Sequence, residues 1–200
     1  MMASLSTLFL GAGFLLAAAV CLYSYGAGNN GRNASTITTH LHFYMHDDYS
    51  SLRPSAMRVV AGRSLLVPSP PSDDNATCGA GTLPPPPREF GDIVVLNNAL
   101  TEGPRSESAR VGTAQGFGVR VSEGGVVSHV TMHLLVEAGE HRGSSVTVSC
   151  RIDVNEKVRE SVVVGGTGGF RFARGYMLSR NYDYDLVRGG VVELDVYLQH

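Results

Sequence analysis

Apolar and polar positions alternate through most of the chain after residue 40, a period that predicts strands rather than helices. His40 to Asp47 is the cleanest case. Leu41, Phe43, Met45 and Asp47 share one face, while His40, His42, Tyr44 and His46 share the other. Met57 to Val67 reads as a second strand and Gly91 to Asn97 as a short buried one. Val111–Ser122 and Val126–Ala138 follow, joined by a turn at Glu123-Gly-Gly125. Val146, Val148, Cys150, Ile152 and Val154 then alternate with Thr147, Ser149, Arg151 and Asp153. Val162 to Tyr176 reads as strand, glycine corner, strand, because Gly165, Gly166, Gly168 and Gly169 can reverse the backbone where a Cβ would clash. A last strand opens at Gly189, with Val192, Leu194, Val196 and Leu198 on one side and Glu193, Asp195, Tyr197 and Gln199 on the other. Eight or nine short strands without an amphipathic helix predict an all-β fold with antiparallel neighbours. Closure into a barrel is the commonest way for such a sheet to lose its edges, a sandwich being the alternative.

The ends of the chain break the pattern. No charged side chain occurs in the first 27 residues, and Leu5 to Tyr25 is nearly all apolar. Residues 1–27 therefore resemble a signal peptide with small residues for cleavage at Gly26 or Ala27; a retained membrane anchor is the other reading. Residues 28–39 are expected to be a flexible lead-in, and 40–200 the barrel domain, interrupted by a proline-dense surface insertion at 68–88. Asn33-Ala-Ser and Asn75-Ala-Thr are glycosylation sequons in loop-like stretches, so the chain reads as a secreted glycoprotein with no membrane segment once the leader is removed. A net charge of −2 gives no reason to expect nucleic acid. Of the three cysteines, Cys21 belongs to the leader, leaving Cys78 and Cys150 either bridged or as two separate thiols.

Few residues could carry chemistry. The glycine corner satisfies neither G-x-G-x-x-G nor G-x-x-x-x-G-K-[ST], which makes it a barrel corner rather than a nucleotide loop. Three histidines on one face of the first strand suggest either a metal site or, more simply, a half-solvated or subunit-facing surface. Asp47 sits in phase with Leu41, Phe43 and Met45, so its carboxylate must be paired, hydrogen-bonded or protonated once buried. Two outcomes stay open there: a core ion pair with an arginine, or an acid of raised pKa in an apolar cavity. Asp153 and Arg159 bracket the turn before the glycine corner, where exposed turn charges are common. No G-x-S-x-G elbow and no H-E-x-x-H occurs.

His42-Phe-Tyr-Met-His-Asp47, Gly91-Asp-Ile-Val-Val-Leu96, Leu100-Thr-Glu-Gly103, Val111-Gly-Thr-Ala-Gln-Gly-Phe117 and the run from Val163 to Tyr176 resemble, in order, the successive blocks of the plant dirigent protein family. Asp195-Val-Tyr-Leu198 resembles its last strand. The resemblance implies an eight-stranded antiparallel β-barrel related to the allene oxide cyclase fold. It also implies a homo-oligomer (dimer or trimer) secreted to the apoplast. Its implied activity is to bind phenoxy radicals of the monolignol type and impart stereoselectivity on their coupling in phenylpropanoid (lignan) biosynthesis. A separate laccase or peroxidase would perform the oxidation, with no cofactor and no metal on this chain.

Matched block by block, Asp47, Arg159 and, with one residue gapped, Asp153 correspond to the family's polar cavity residues. Phe43, Phe117, Gly118, Thr167 and Phe170 correspond to its substrate-binding wall. Gly118 departs from members that form pinoresinol, which carry an aromatic there, so a wider cavity and a different phenol are expected. The family's paired cysteines have no counterpart, and the insertion at 68–88 is longer than usual. Two rival functions remain: a cyclase or dehydratase acting on a closed-shell phenolic through Asp47 and Asp153, or a binding module for wall polymers or defence.

Overall fold

The strongest alternation produces the longest pairing. β1 (Thr38–Asp48) lies antiparallel to β9 (Gly189–Gln199) over its whole length, from Thr38 opposite Gln199 to Asp48 opposite Gly189. The computed structural model describes residues 37–62 and 88–200. The leader, residues 28–36, Cys21, Cys78, Asn33, Asn75 and the insertion apart from Arg88 lie outside the described residues. Between the terminal strands come β2 (Ala56–Val60), β3 (Ile93–Thr101), β4 (Arg110–Arg120), β5 (Val127–Val136), β6 (Ser145–Asp153), β7 (Val158–Thr167) and β8 (Arg174–Asp185).

From β3 to β9 every strand pairs antiparallel with the next. The sheet closes where Tyr44–His46 of β1 meet Ala99–Thr101 of β3, giving a ring of eight strands. β2 stays outside that ring and covers the first half of β3, from Ile93 to Leu96. Closure leaves the ring no free edge, which is the physical gain of a barrel.

Inward residues form one core. Leu100, Leu134, Val146, Val148, Met177, Leu194 and Val196 are all essentially inaccessible. Each such side chain contributes about 1.5–3 kcal/mol on burial. The core is dense at the end of the barrel where β1 begins and β9 finishes, and Phe170 plugs that end.

Three expectations need correction. The second strand ends at Val60 rather than continuing to Val67; residues 63–67 lie outside the described residues. The short strand at 91–97 instead runs from Ile93 to Thr101, because Leu100 belongs to the core and the Thr101 hydroxyl donates to the Gly103 carbonyl at 2.7 Å. After β7 the chain does not re-enter a strand at once. Gly168–Phe170 forms a single 3-10 turn, and β8 starts only at Arg174. Gly168 takes φ +62° against Ser144, whose hydroxyl accepts the Gly169 N–H at 2.9 Å, and this delivers Phe170 into the core.

The segment between β2 and β3 is pinned at its base. The buried Asp92 carboxylate accepts the Gly62 N–H at 2.8 Å and the Glu89 N–H at 3.0 Å, and pairs with Arg58 at 3.2 Å.

Candidate functional site

At the end opposite Phe170, where β1, β4, β6 and β8 finish, the core gives way to a cavity of about 120 Å³. Met45, Leu96, Val130, Met132, Ile152 and Leu194 supply aliphatic walls. Polar groups converge on it from five elements: Asp47 from β1, Asn98 from β3, Arg120 from β4, Arg159 from β7, Tyr184 from β8. Apolar walls with a few converging polar groups are the ordinary make-up of a small-molecule site.

Among the described residues, Asp47 is the one carboxylate that lines the cavity. The Tyr184 hydroxyl donates to its Oδ2 at 2.5 Å and the Asn98 amide to its Oδ1 at 3.3 Å. Burial pushes the carboxyl above its ordinary value, opposed by hydrogen bonds from Tyr184, Tyr49 and Asn98. Burial also pushes the Tyr184 phenol far up, with the Asp47 and Tyr49 charges adding to it, so Tyr184 stays protonated and donates. Asn98 is fully buried and its Oδ1 has no partner. An amide flip would present that oxygen to a protonated Asp47. The pair can thus hold a proton and hand it to a bound ligand.

Arg159 is only 5% exposed, and its Nη2 donates to Asn181 Oδ1 at 2.8 Å. Arg120 donates to the Ser128 hydroxyl, while its Nε is buried without a partner. Burial lowers the pKa of both guanidiniums, which nevertheless stay cationic. Neither lies in an ion pair among the described residues.

The other expected residues scatter. Gly118 faces inward between Arg120 and Gly116, but it does not line the cavity, and a Cβ there would press on Val130 Cγ2 at 3.1 Å, because Val130 already fills that part of the wall. Phe43 is core, one layer below the cavity lining formed by Met45. Phe117 points outward and is 46% exposed. Thr167 and Phe170 stand at the opposite end, where the Thr167 hydroxyl shares a hydrogen bond with Ser145 at 2.7 Å. Asp153 ends β6, at the turn into β7, and does not line the cavity. There it accepts the Asn155 N–H at 3.1 Å and pairs with Arg151 at 3.2 Å, and the Asn155 N–H leads in holding its carboxyl below the ordinary value.

Arg120, Asn98, Tyr49 and Tyr184 escaped the sequence. Tyr184 is the instructive one. A bulge between Asn181 and Asp183 breaks the β8 register, so that Asn181 opposite Val192 and Tyr184 opposite Gly190 both face inward although three residues apart. Strict alternation would have turned Tyr184 outward.

On the outer face, His40 and His42 both hydrogen-bond Asp195 Oδ1, at 3.0 and 2.9 Å, whereas His46 reaches Thr101 at 2.8 Å. Burial pushes the Asp195 carboxyl up, but hydrogen bonds from His42, His40 and Arg180 outweigh it and leave it below its ordinary value. Among the described residues, His42, Glu193 and Asp195 alone come close enough together to hold a cation. Arg180 already bridges both carboxylates, at 3.2 and 2.8 Å, and supplies the positive charge a metal would bring.

The family profile described as Dirigent-like protein matches residues 38–199. Dirigent protein 1 of Arabidopsis thaliana is 36% identical over 186 residues, which is 93% of this chain and 91% of that protein. Pterocarpan synthase 1 of Glycyrrhiza echinata is 35% identical over 164 residues, 81% of this chain and 78% of that protein. The solved structure of the pterocarpan synthase dirigent protein GePTS1 matches with a TM-score of 0.68 at 33% identity, covering 83% of this chain and 89% of that one.

Proposed function

The chain belongs to the dirigent family, and we propose that it binds phenoxy radicals of the monolignol type in the barrel cavity and fixes which faces couple. The observation that carries this reading is the buried Asp47–Tyr184 pair, 2.5 Å between oxygens, at the polar end of an aliphatic-walled cavity. Radical coupling is intrinsically fast, so orientation decides the product. A difference of about 1.4 kcal/mol between two approach geometries gives tenfold selectivity. The coupled bis-quinone methide then closes its rings when each side-chain hydroxyl adds to a quinone methide carbon. The hydroxyl loses a proton and the ring oxygen gains one, so closure is a proton relocation without a redox change. Asp47 is suited to exchange that proton, and Arg159 to hold the ring oxygen as negative charge builds on it.

The test is a chiral product profile from coniferyl alcohol and other monolignols with laccase, with and without the protein. Enantiomeric excess that appears only when protein and oxidase are both present is expected on at least one of these phenols. Racemic product from every phenol tried would end the proposal.

A second reading is favoured by the similarity to two proteins named pterocarpan synthase, each 35% identical. Here the same acid pair would cyclise or dehydrate a closed-shell phenolic. Turnover in the same assay without laccase selects this reading over the first.

A further inference from the structure

Among the described residues, buried carboxylates outside the cavity are balanced by cations. Asp92 faces Arg58 and the Gly62 and Glu89 amides, and Asp195 faces Arg180 and two histidines. The cavity is the exception. Arg88, Arg120 and Arg159 line it against one carboxylate, Asp47. That carboxylate is engaged by the neutral donors Tyr184 and Asn98 and lies in no ion pair with an arginine among the described residues.

The arginines are likewise held by neutral acceptors. Arg159 uses Asn181 Oδ1 and, at 3.5 Å, the Ser179 hydroxyl; Arg120 uses Ser128; Arg88 Nη2 uses the Leu186 carbonyl at 2.9 Å. Arg120 Nε has no acceptor at all. Burying guanidiniums without counter-charge is costly, and a buried donor left unmade costs the full desolvation of that group. Strand register puts Arg120 opposite Ser128 and Ser128 opposite Ile152, so one cation stands in the same layer of the wall as an apolar surface.

From this excess of positive charge and the unfilled Arg120 donor, we infer that the cavity takes an aromatic ligand bearing a carboxylate, a phenolic acid rather than the neutral phenolic alcohol, and that Arg120 and Arg159 hold the carboxylate. The inference rests on the reading of this cavity as a phenolic site. A carboxylate accepts in-plane from a guanidinium through two oxygens, which suits arginine far better than an alcohol does. The aliphatic walls receive the ring.

Isothermal titration at neutral pH and low salt tests it with three ligands of one skeleton: 4-hydroxy-3-methoxycinnamic acid, its methyl ester, and the matching alcohol. The acid should bind at least tenfold tighter than either neutral analogue. Arg120→Gln should erase most of that preference while leaving alcohol binding within about twofold, and Arg159→Gln, checked for folding by circular dichroism, should also lower the ratio of acid to alcohol binding. The ester changes the ligand and not the protein, so a folding defect cannot imitate its result. Equal binding of acid, ester and alcohol overturns the inference but leaves a phenolic site standing. Failure of all three to bind overturns both. Preference for the acid that survives in both variants, or displacement of the acid by equimolar acetate, overturns the assignment to Arg120 and Arg159.

Discussion

Asp47 gives the site a pH signature. Its folded carboxyl lies above its unfolded value, so over an intermediate range the folded chain keeps a proton that the unfolded chain has released. Within that range stability falls as pH rises; below an unfolded value of about 4 both states are protonated and the penalty is absent. Asp47→Asn removes the titration and keeps the shape, and a flipped Asn98 can offer Oδ1 to the new amide. At pH 7 the variant should therefore melt at or above the parent's temperature, with its margin shrinking as pH drops towards about 4 and gone below it. Calorimetry from acid to neutral pH measures this, and a pH-independent margin would show that another group titrates. The same variant should lose product selectivity in the laccase assay.

The turn Gly168–Phe170 is the corresponding test at the level of one element. Its ring is fully buried, with its centroid 4.8 Å from that of His141 and 5.2 Å from that of His200, and it closes the end remote from the cavity. Phe170→Ala should cost about 3–5 kcal/mol in urea unfolding while leaving the selectivity of the folded fraction unchanged. Lost selectivity at parental stability would return Phe170 to the substrate wall. Alternation made β1, β6 and β9 legible, because there the inward residues are apolar or, at Asp47, in phase with apolar neighbours. It failed where the barrel turns polar groups inward. Asn98 lay past the expected end of the strand, Arg120 stood out in no pattern, Arg159 was reached through the family resemblance and not through alternation, and the β8 bulge turned Tyr184 to the face that strict alternation denies it. Most of the fold was therefore readable, and half of the cavity was not.

At the scale of the molecule, β1 and β9 join the two ends of the described barrel residue by residue, so the ring closes through contacts far apart in sequence. Those contacts do not involve the stretch between β2 and β3. Replacing residues 64–87 by a short Gly/Ser linker, with Arg88 kept for the cavity, should leave the melting temperature within a few degrees and ligand binding intact. Thermal scanning of the shortened chain checks it, and loss of soluble protein would show that this stretch holds the barrel together.

Asp92 extends that expectation in a direction useful to evolution and to engineering alike. Because one carboxylate grips the chain on both sides of the stretch, the barrel meets a fixed distance there whatever length of polypeptide lies between. Each doubling of that length costs only about 0.6 kcal/mol of closure entropy. The barrel consequently offers a splice point between Gly62 and Arg88, beside a residue of its own cavity, where new sequence can be tried against incoming ligands without rewriting any strand.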